Sequence, residues 1–172
     1  MHTDVRTLAP IKMIEGLYAV LYRGFAREDL LSYLKCGFSG VSAEDADRFE
    51  LYTEFWHVNG AAFTADAPFS MNPDGYAEQL SAAGEATLAA VNRAKDRLIP
   101  PIAALSKRLQ GTPTVTEHVR ALYDFLREIG FEDELLRRAE AARAAGHKQD
   151  ADSLSRLMRV LCDLFDRLHE IV

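Results

Sequence analysis

Ser81 to Leu109 reads SAAGEATLAAVNRAKDRLIPPIAALSKRL. Within it Leu88, Val91, Leu98, Ile102, Leu105 and Leu109 recur at steps of three, four and seven residues. That spacing puts all six on one face of a 3.6-residue helix. Pro100 and Pro101 interrupt the run. Each removes a backbone donor and crowds the preceding turn, so the rod is expected to kink or break there. Shorter helical segments lie on either side and can pack against this rod, which makes the fold class all-α.

Working towards the N-terminus, the helical period disappears between His57 and Tyr76. Gly60, Pro68, Pro73 and Gly75 punctuate that stretch, while Phe63, Phe69, Met71 and Tyr76 call for burial. It reads as a long irregular loop over about 57–77, laid on the helical core, with a turn at Asn72-Pro73-Asp74-Gly75. Before the loop, Ser42 is placed to cap a helix by accepting from the Asp45 backbone. Glu44, Asp45 and Asp47 suit the positive end of that helix, and Phe49, Tyr52 and Trp56 form its buried edge. Arg27 to Lys35 forms a shorter helix, with Leu30, Leu31 and Leu34 inward and Gly37 as its stop. Thr7 to Tyr22 forms the first, with Leu8, Ile11, Ile14, Tyr18 and Leu21 on one stripe.

Beyond the rod, Gly111-Thr112-Pro113 connects to a helix opened by a Thr114–Glu117 capping box. Val115, Val119, Leu122, Tyr123, Leu126 and Ile129 are its apolar positions, and Gly130 ends it. Phe131 to Ala145 reads as a helix with a wide solvated face. A last helix from about Gln149 carries Leu154, Leu157, Leu161, Leu164, Phe165 and Leu168. It reaches Val172 with no stop signal, as expected of a piece of something longer. The total is about seven helices in a single helical domain spanning 1–172.

Composition limits the function. The chain has 172 residues, with 20 basic against 26 acidic, for a formal charge of -6. Phosphate binding needs a surplus of Lys and Arg, so the balance argues against a stand-alone nucleic-acid grip while permitting a local basic face. Cys36 and Cys162 are the two cysteines; far apart, they suit a reducing compartment and read as small buried hydrophobes. No apolar run approaches the ~20 residues that span a bilayer, and Met1 to Arg6 lacks the pattern of a secretion signal. The expected location is cytoplasmic.

Catalytic motifs are missing. No glycine precedes a lysine, so there is no Walker loop; nor is there a dinucleotide-binding glycine turn or a nucleophile elbow. The five histidines contain no pair at i,i+4 and none neighbours a cysteine at ligand spacing. Pro73-Asp74 matches half of a restriction-type nuclease motif, but no acid stands two residues before a lysine. The turn accounts for it. Arg93, Lys95, Arg97, Lys107 and Arg108 are the candidate DNA-facing residues, with the solvated side of an amphipathic helix as the plainer alternative. Trp56 and Tyr52 suit base stacking, but beside Phe49 they read first as core.

Three stretches together resemble the B subunits of bacterial ATP-dependent helicase/deoxyribonucleases (the AddB/RexB family). They are Arg27–Phe38 with Gly40-Val41-Ser42 and Asp47–Tyr52; Phe69–Tyr76 with Val91-Asn92-Arg93 and Leu98–Ile102; and Thr114–His118 with Leu122–Leu126. Their order and spacing match over nearly the whole chain. The resemblance implies a helical accessory domain akin to the 2B domain of superfamily 1 helicases. It further implies a role in double-strand-break end resection and recombinational repair, with the partner A subunit and DNA as partners of the intact complex. No catalytic, cofactor or metal residue is carried over to this region, and the family's ATP with magnesium and its iron-sulfur cluster fall outside it. The region would scaffold its parent polypeptide, line a DNA channel or meet the partner. Val58-Asn59-Gly60 departs from the basic turn expected after the third helix. A free-standing helical interaction or regulatory module is the alternative.

Overall fold

The computed structural model describes residues 9–77, 79–111 and 114–170, with the side chains of 162 and 164–170 outside the description. All regular structure among the described residues is helical. The helices are α1 (Ala9–Tyr22), α2 (Arg27–Lys35), α3 (Ala43–Phe55), the single turn α4 (Ala61–Thr64), α5 (Ala82–Gln110), α6 (Val115–Glu128), α7 (Phe131–Ala144) and α8 (Lys148–Glu170). Seven multi-turn helices were expected, and α4 is a short addition inside the long loop. The chain divides into two compact units, 1–103 and 104–172, with α5 contributing residues to each.

In the first unit α1 packs on α2, and α2 on α3. The buried stripe of α1 is Pro10, Met13, Leu17 and Val20, one position away from the stripe expected. Ile11, Ile14, Tyr18 and Leu21 are half-buried flanks, and Leu8 lies outside the described residues. The apolar face of α1 is broad, so periodicity alone does not fix its centre. Gly16 does: a Cβ there would stand 3.4 Å from Tyr33 Cα, so its bare backbone sets the face that meets α2. On α2, Leu30, Leu31 and Leu34 are buried as expected, with Tyr33 beside them. Gly37, at φ 75°, ends that helix and donates to the Leu34 carbonyl at 3.0 Å. Ser42 caps α3 through Oγ, which accepts from Asp45 N at 3.1 Å.

Helix α5 runs without a break through Pro100 and Pro101. The two lost backbone bonds cost about 3 kcal/mol each in an isolated helix, but Leu98, Ile99, Ile102 and Leu105 are all buried here. Burying each such side chain contributes about 1.5–3 kcal/mol, enough to keep the helix going.

In the second unit α7 packs along α8, with α6 against both. The capping box is formed at both ends: Thr114 Oγ1 accepts from Glu117 N at 3.2 Å, and Glu117 Oε2 accepts from Thr114 N at 3.2 Å. The inner face of α6 is Ala121, Phe125 and Leu126. Val115, expected inside, is 77% exposed and Tyr123 is partly exposed, because the face follows the neighbouring helices rather than the widest apolar arc. Phe131, Leu135 and Ala139 of α7 are buried, as are Ala151 and Leu157 of α8. Leu164, Phe165 and Leu168 fall among the side chains outside the description.

Cys36 is half-buried, not fully buried, and its thiol donates to the Ser32 carbonyl at 3.4 Å. The side chain of Cys162 is not described. Among the described residues no helix is long and apolar enough to cross a membrane.

Candidate functional site

The loop after α3 is bound to the first unit by four polar side chains. Asn92 of α5 grips Phe69 from both sides: Oδ1 accepts from Phe69 N at 2.8 Å and Nδ2 donates to Phe69 O at 2.9 Å. One turn on, Lys95 Nζ donates to the carbonyls of Ala65 (2.8 Å) and Ala67 (2.6 Å) and sits 4.7 Å from the centre of the Phe69 ring. Tyr52 Oη accepts from Met71 N at 3.0 Å, and Trp56 Nε1 donates to Asn72 O at 3.2 Å. These bonds satisfy backbone groups that a loop pressed on a core would otherwise leave unpaired. Inside, Phe63 stacks 5.9 Å from Phe49, and Phe69 lies 5.3 Å from Tyr52.

The five basic candidates therefore separate. Lys95 is only 6% exposed and turned inward; it is a loop anchor, unable to meet a nucleic acid while so engaged. A lysine stem can run through apolar packing while its ammonium takes backbone acceptors, an arrangement that spacing on α5 does not reveal. Arg93 is exposed and stands 3.6 Å from Asp45 Oδ1. Arg97 is exposed and lies over the Gly40 turn, where a Cβ would come within 2.6 Å of its Nε. Gly40 has φ +71°, a left-handed conformation that favours glycine. Arg93 and Arg97 belong to the first unit, Lys107 and Arg108 to the second. Lys107 is exposed, and Arg108 Nη1 stands 3.4 Å from Asp124 Oδ2.

Two other sequence signals find structural employment. Asp74, of the Pro-Asp pair, accepts from Ser81 Oγ at 2.6 Å and so braces the start of α5, while Ser81 Oγ accepts from Gly84 N at 2.9 Å. The turn itself is present, with Gly75 N donating to Asn72 O at 3.0 Å. Asn59, at the departure from the family's basic turn, caps α2: its Oδ1 accepts from Arg27 N at 2.8 Å. Gly60 N donates to Phe25 O at 3.1 Å beside it, which makes this turn a clasp between the end of α3 and the start of α2.

Tyr52 is buried, as its helical spacing beside Phe49 indicates, but Trp56 is only half-buried. It joins Phe55 (4.9 Å between ring centres) and Tyr76 (5.5 Å) in an outward-facing aromatic group. Met71 and Tyr76, expected under the loop, lie on it, Met71 about half exposed and Tyr76 largely so. Phe63 and Phe69 have already filled the space beneath. Among the described residues there is no group of three or more His, Cys, Asp or Glu side chains able to hold a metal ion.

Fold and surface define a class: an all-helical chain whose described surface offers arginines and aromatic rings. Comparison with known proteins gives the particular relationship. The chain is 25% identical over 167 residues to the B subunit of the ATP-dependent helicase/deoxyribonuclease of Alkaliphilus metalliredigens, covering 94% of this chain and 14% of that protein. The corresponding protein of Acetivibrio thermocellus is 23% identical over 163 residues, with 94% and 14% covered. That of Clostridium acetobutylicum is 24% identical over 171 residues, with 98% and 15% covered. No family model matches the chain. Over nearly its whole length the chain is similar to ATP-dependent helicase/deoxyribonuclease B subunits, and it spans about one-seventh of the length of the curated relatives it matches.

Proposed function

We propose that this chain is a non-catalytic helical region of an ATP-dependent helicase–nuclease subunit that acts in double-strand-break end resection and recombinational repair. Both compact units belong to that one region of a longer polypeptide, comparable to the 2B accessory domain of superfamily 1 helicases. It scaffolds the parent polypeptide and presents Arg93 and Arg97 of the first unit, and Lys107 and Arg108 of the second, to DNA or to the partner A subunit. ATP with magnesium and the iron-sulfur cluster are held elsewhere in the parent, and the complex works in the cytoplasm.

The observation that carries this reading is coverage. Nearly all of the chain aligns with a contiguous part of proteins named for helicase and deoxyribonuclease activity, while that part is about 14% of their length. The polar side chains that chemistry would claim here, Asp74, Lys95 and Asn59 among them, are engaged in holding backbone. Two assays test it. The isolated chain is expected to hydrolyse no ATP and cut no DNA, and turnover in a clean preparation overturns the non-catalytic role. Deleting the region from the natural polypeptide is expected to abolish end processing by the complex. Undiminished processing without it would remove the scaffold role.

A further inference from the structure

The outer face of α3 and the loop beyond it carry apolar surface that the first unit leaves open. Leu51 is 67% exposed, Phe55 49% and Tyr76 88%. Phe55 lies 5.9 Å from Tyr76, ring centre to ring centre, and both contact Trp56. Two of its rings are held in place. Trp56 is held through Nε1 to Asn72 O, and Gly75 brings bare backbone to Phe55, where a Cβ would stand 3.4 Å from the Phe55 Cζ. Rings fixed before contact lose little entropy on docking, which is why Trp and Tyr dominate binding hot spots.

Charge selects the occupant. Asp47, Leu51, Glu54 and Phe55 share one face of α3 by helical spacing, and α3 as a whole has five carboxylates against a single arginine, Arg48. Arg48 is spent on Glu44 and Asp45, and Lys35 on Glu50. Asp47 and Glu54 are exposed and feel the charge of Lys35 without the direct bond that Glu50 makes to it. A phosphate backbone is repelled by that rim, which disfavours single-stranded DNA stacked on the rings. A second copy would bring the same carboxylates against themselves. The rim fits a protein face with an apolar side chain set between lysines or arginines.

Resting on the reading that this chain is one region of a longer polypeptide, we infer that the Leu51–Phe55–Trp56–Tyr76 face is the seat of an intramolecular domain contact. Its occupant is a basic-rimmed apolar face elsewhere in the same polypeptide. In relatives of which this region is about 14%, such a face is tethered. Tethering supplies an effective concentration in the millimolar range, which a diffusing partner lacks.

The test places a photo-crosslinking phenylalanine analogue in place of Tyr76 of this region within the natural polypeptide, in its complex and with DNA present, and maps the products by mass spectrometry. The expected product joins position 76 to a Lys- or Arg-containing peptide of the same chain. Mixing isotopically heavy and light chains identifies it as intramolecular. Asp47→Lys with Glu54→Lys is expected to reduce its yield about fivefold, a rim-charge effect of the usual size. Crosslinks to DNA, to another subunit or to a second copy overturn the proposal, as does a yield at background. The intact mass of the natural polypeptide is read in the same experiment. A mass no greater than this chain's defeats the functional reading itself, whereas a long chain without the intramolecular product defeats only the domain contact.

Discussion

Asn92 and Phe69, 23 residues apart, meet as two neighbouring strands do: the amide accepts from Phe69 N at 2.8 Å and donates to Phe69 O at 2.9 Å. Asn92 Nδ2 also lies 3.1 Å from the Leu88 carbonyl of its own helix. A single side chain thus satisfies both backbone groups of a loop residue whose ring enters the aromatic core. Lys95, one turn further, repeats the device with two carbonyls.

From this follows the first prediction. Lys95→Met keeps the stem packed but orphans the Ala65 and Ala67 carbonyls, and should cost about 2–4 kcal/mol. Urea unfolding of the chain measures it. Asn92→Leu should cost about 1–3 kcal/mol on the same grounds and speed hydrogen exchange at the Phe69 amide. Exchange no faster than in the parent would show that the amide has another protector.

Gly84 and Asp74 make the second. Alanine for glycine in a helix ordinarily stabilises by about 0.5–1 kcal/mol. Here the added Cβ would stand 2.5 Å from Asp74 Oδ2 and 2.9 Å from Leu80 Cδ1. Gly84→Ala is expected to destabilise by about 1 kcal/mol, the size of a lost hydrogen bond such as that from Ser81 to Asp74. In an Asp74→Ala background the same change should be neutral or stabilising. A double-mutant cycle reads the reversal, and additive effects would mean the contact is relieved elsewhere.

Glu134 carries the third. Its carboxylate accepts from Arg137 at 2.7 Å and from Arg138 at 2.7 Å. Arg137's hydrogen bond is the larger influence, partial burial opposes it and Arg138 adds to it, leaving the group at about 2 instead of 4.5. A depressed carboxylate contributes stability that is fully present above its unfolded value and is lost as pH falls from about 4.5 towards 2. Because the arginines are solvent-screened, the contribution is about 1 kcal/mol or less. Glu134→Gln should therefore lower stability at pH 7 and flatten its fall between pH 5 and 2, as followed by thermal melts. Parallel pH curves for the two proteins would leave this group without a part in acid unfolding.

Arg93 and Arg97 supply the fourth. Charge reversal at both, Arg93→Glu with Arg97→Glu, should weaken DNA engagement by the intact complex and reduce its salt slope by about two. Folding stability should change by less than about 1 kcal/mol, as for exposed pairs. Equal affinities for parent and variant across a salt titration would remove these two arginines from the DNA path.

The helices, the Ser42 cap, the Thr114–Glu117 box and the turn at Asn72–Gly75 were legible because each rests on chemistry within four residues: a hydroxyl reaching a nearby amide, a glycine free of Cβ strain, an apolar repeat. The family relationship was legible for a similar reason, being a matter of order and spacing along one chain. Which side of a helix is inside is a different kind of fact. Pro10-Met13-Leu17-Val20 took the centre of α1 because Gly16 lets Tyr33 close in, and Val115 stayed outside because its neighbours in the fold stand elsewhere. Lys95 looks like a surface base from its position on α5, and its inward turn depends on carbonyls 28 and 30 residues away. Local chemistry acts over one helical turn, whereas burial and charge pairing depend on what the folded chain brings alongside. The sequence alone therefore determined the multi-turn helices and their caps. Only the tertiary structure decided that α4 forms within the loop, that α5 runs on through Pro100 and Pro101, and which side chains hold the fold or face outward.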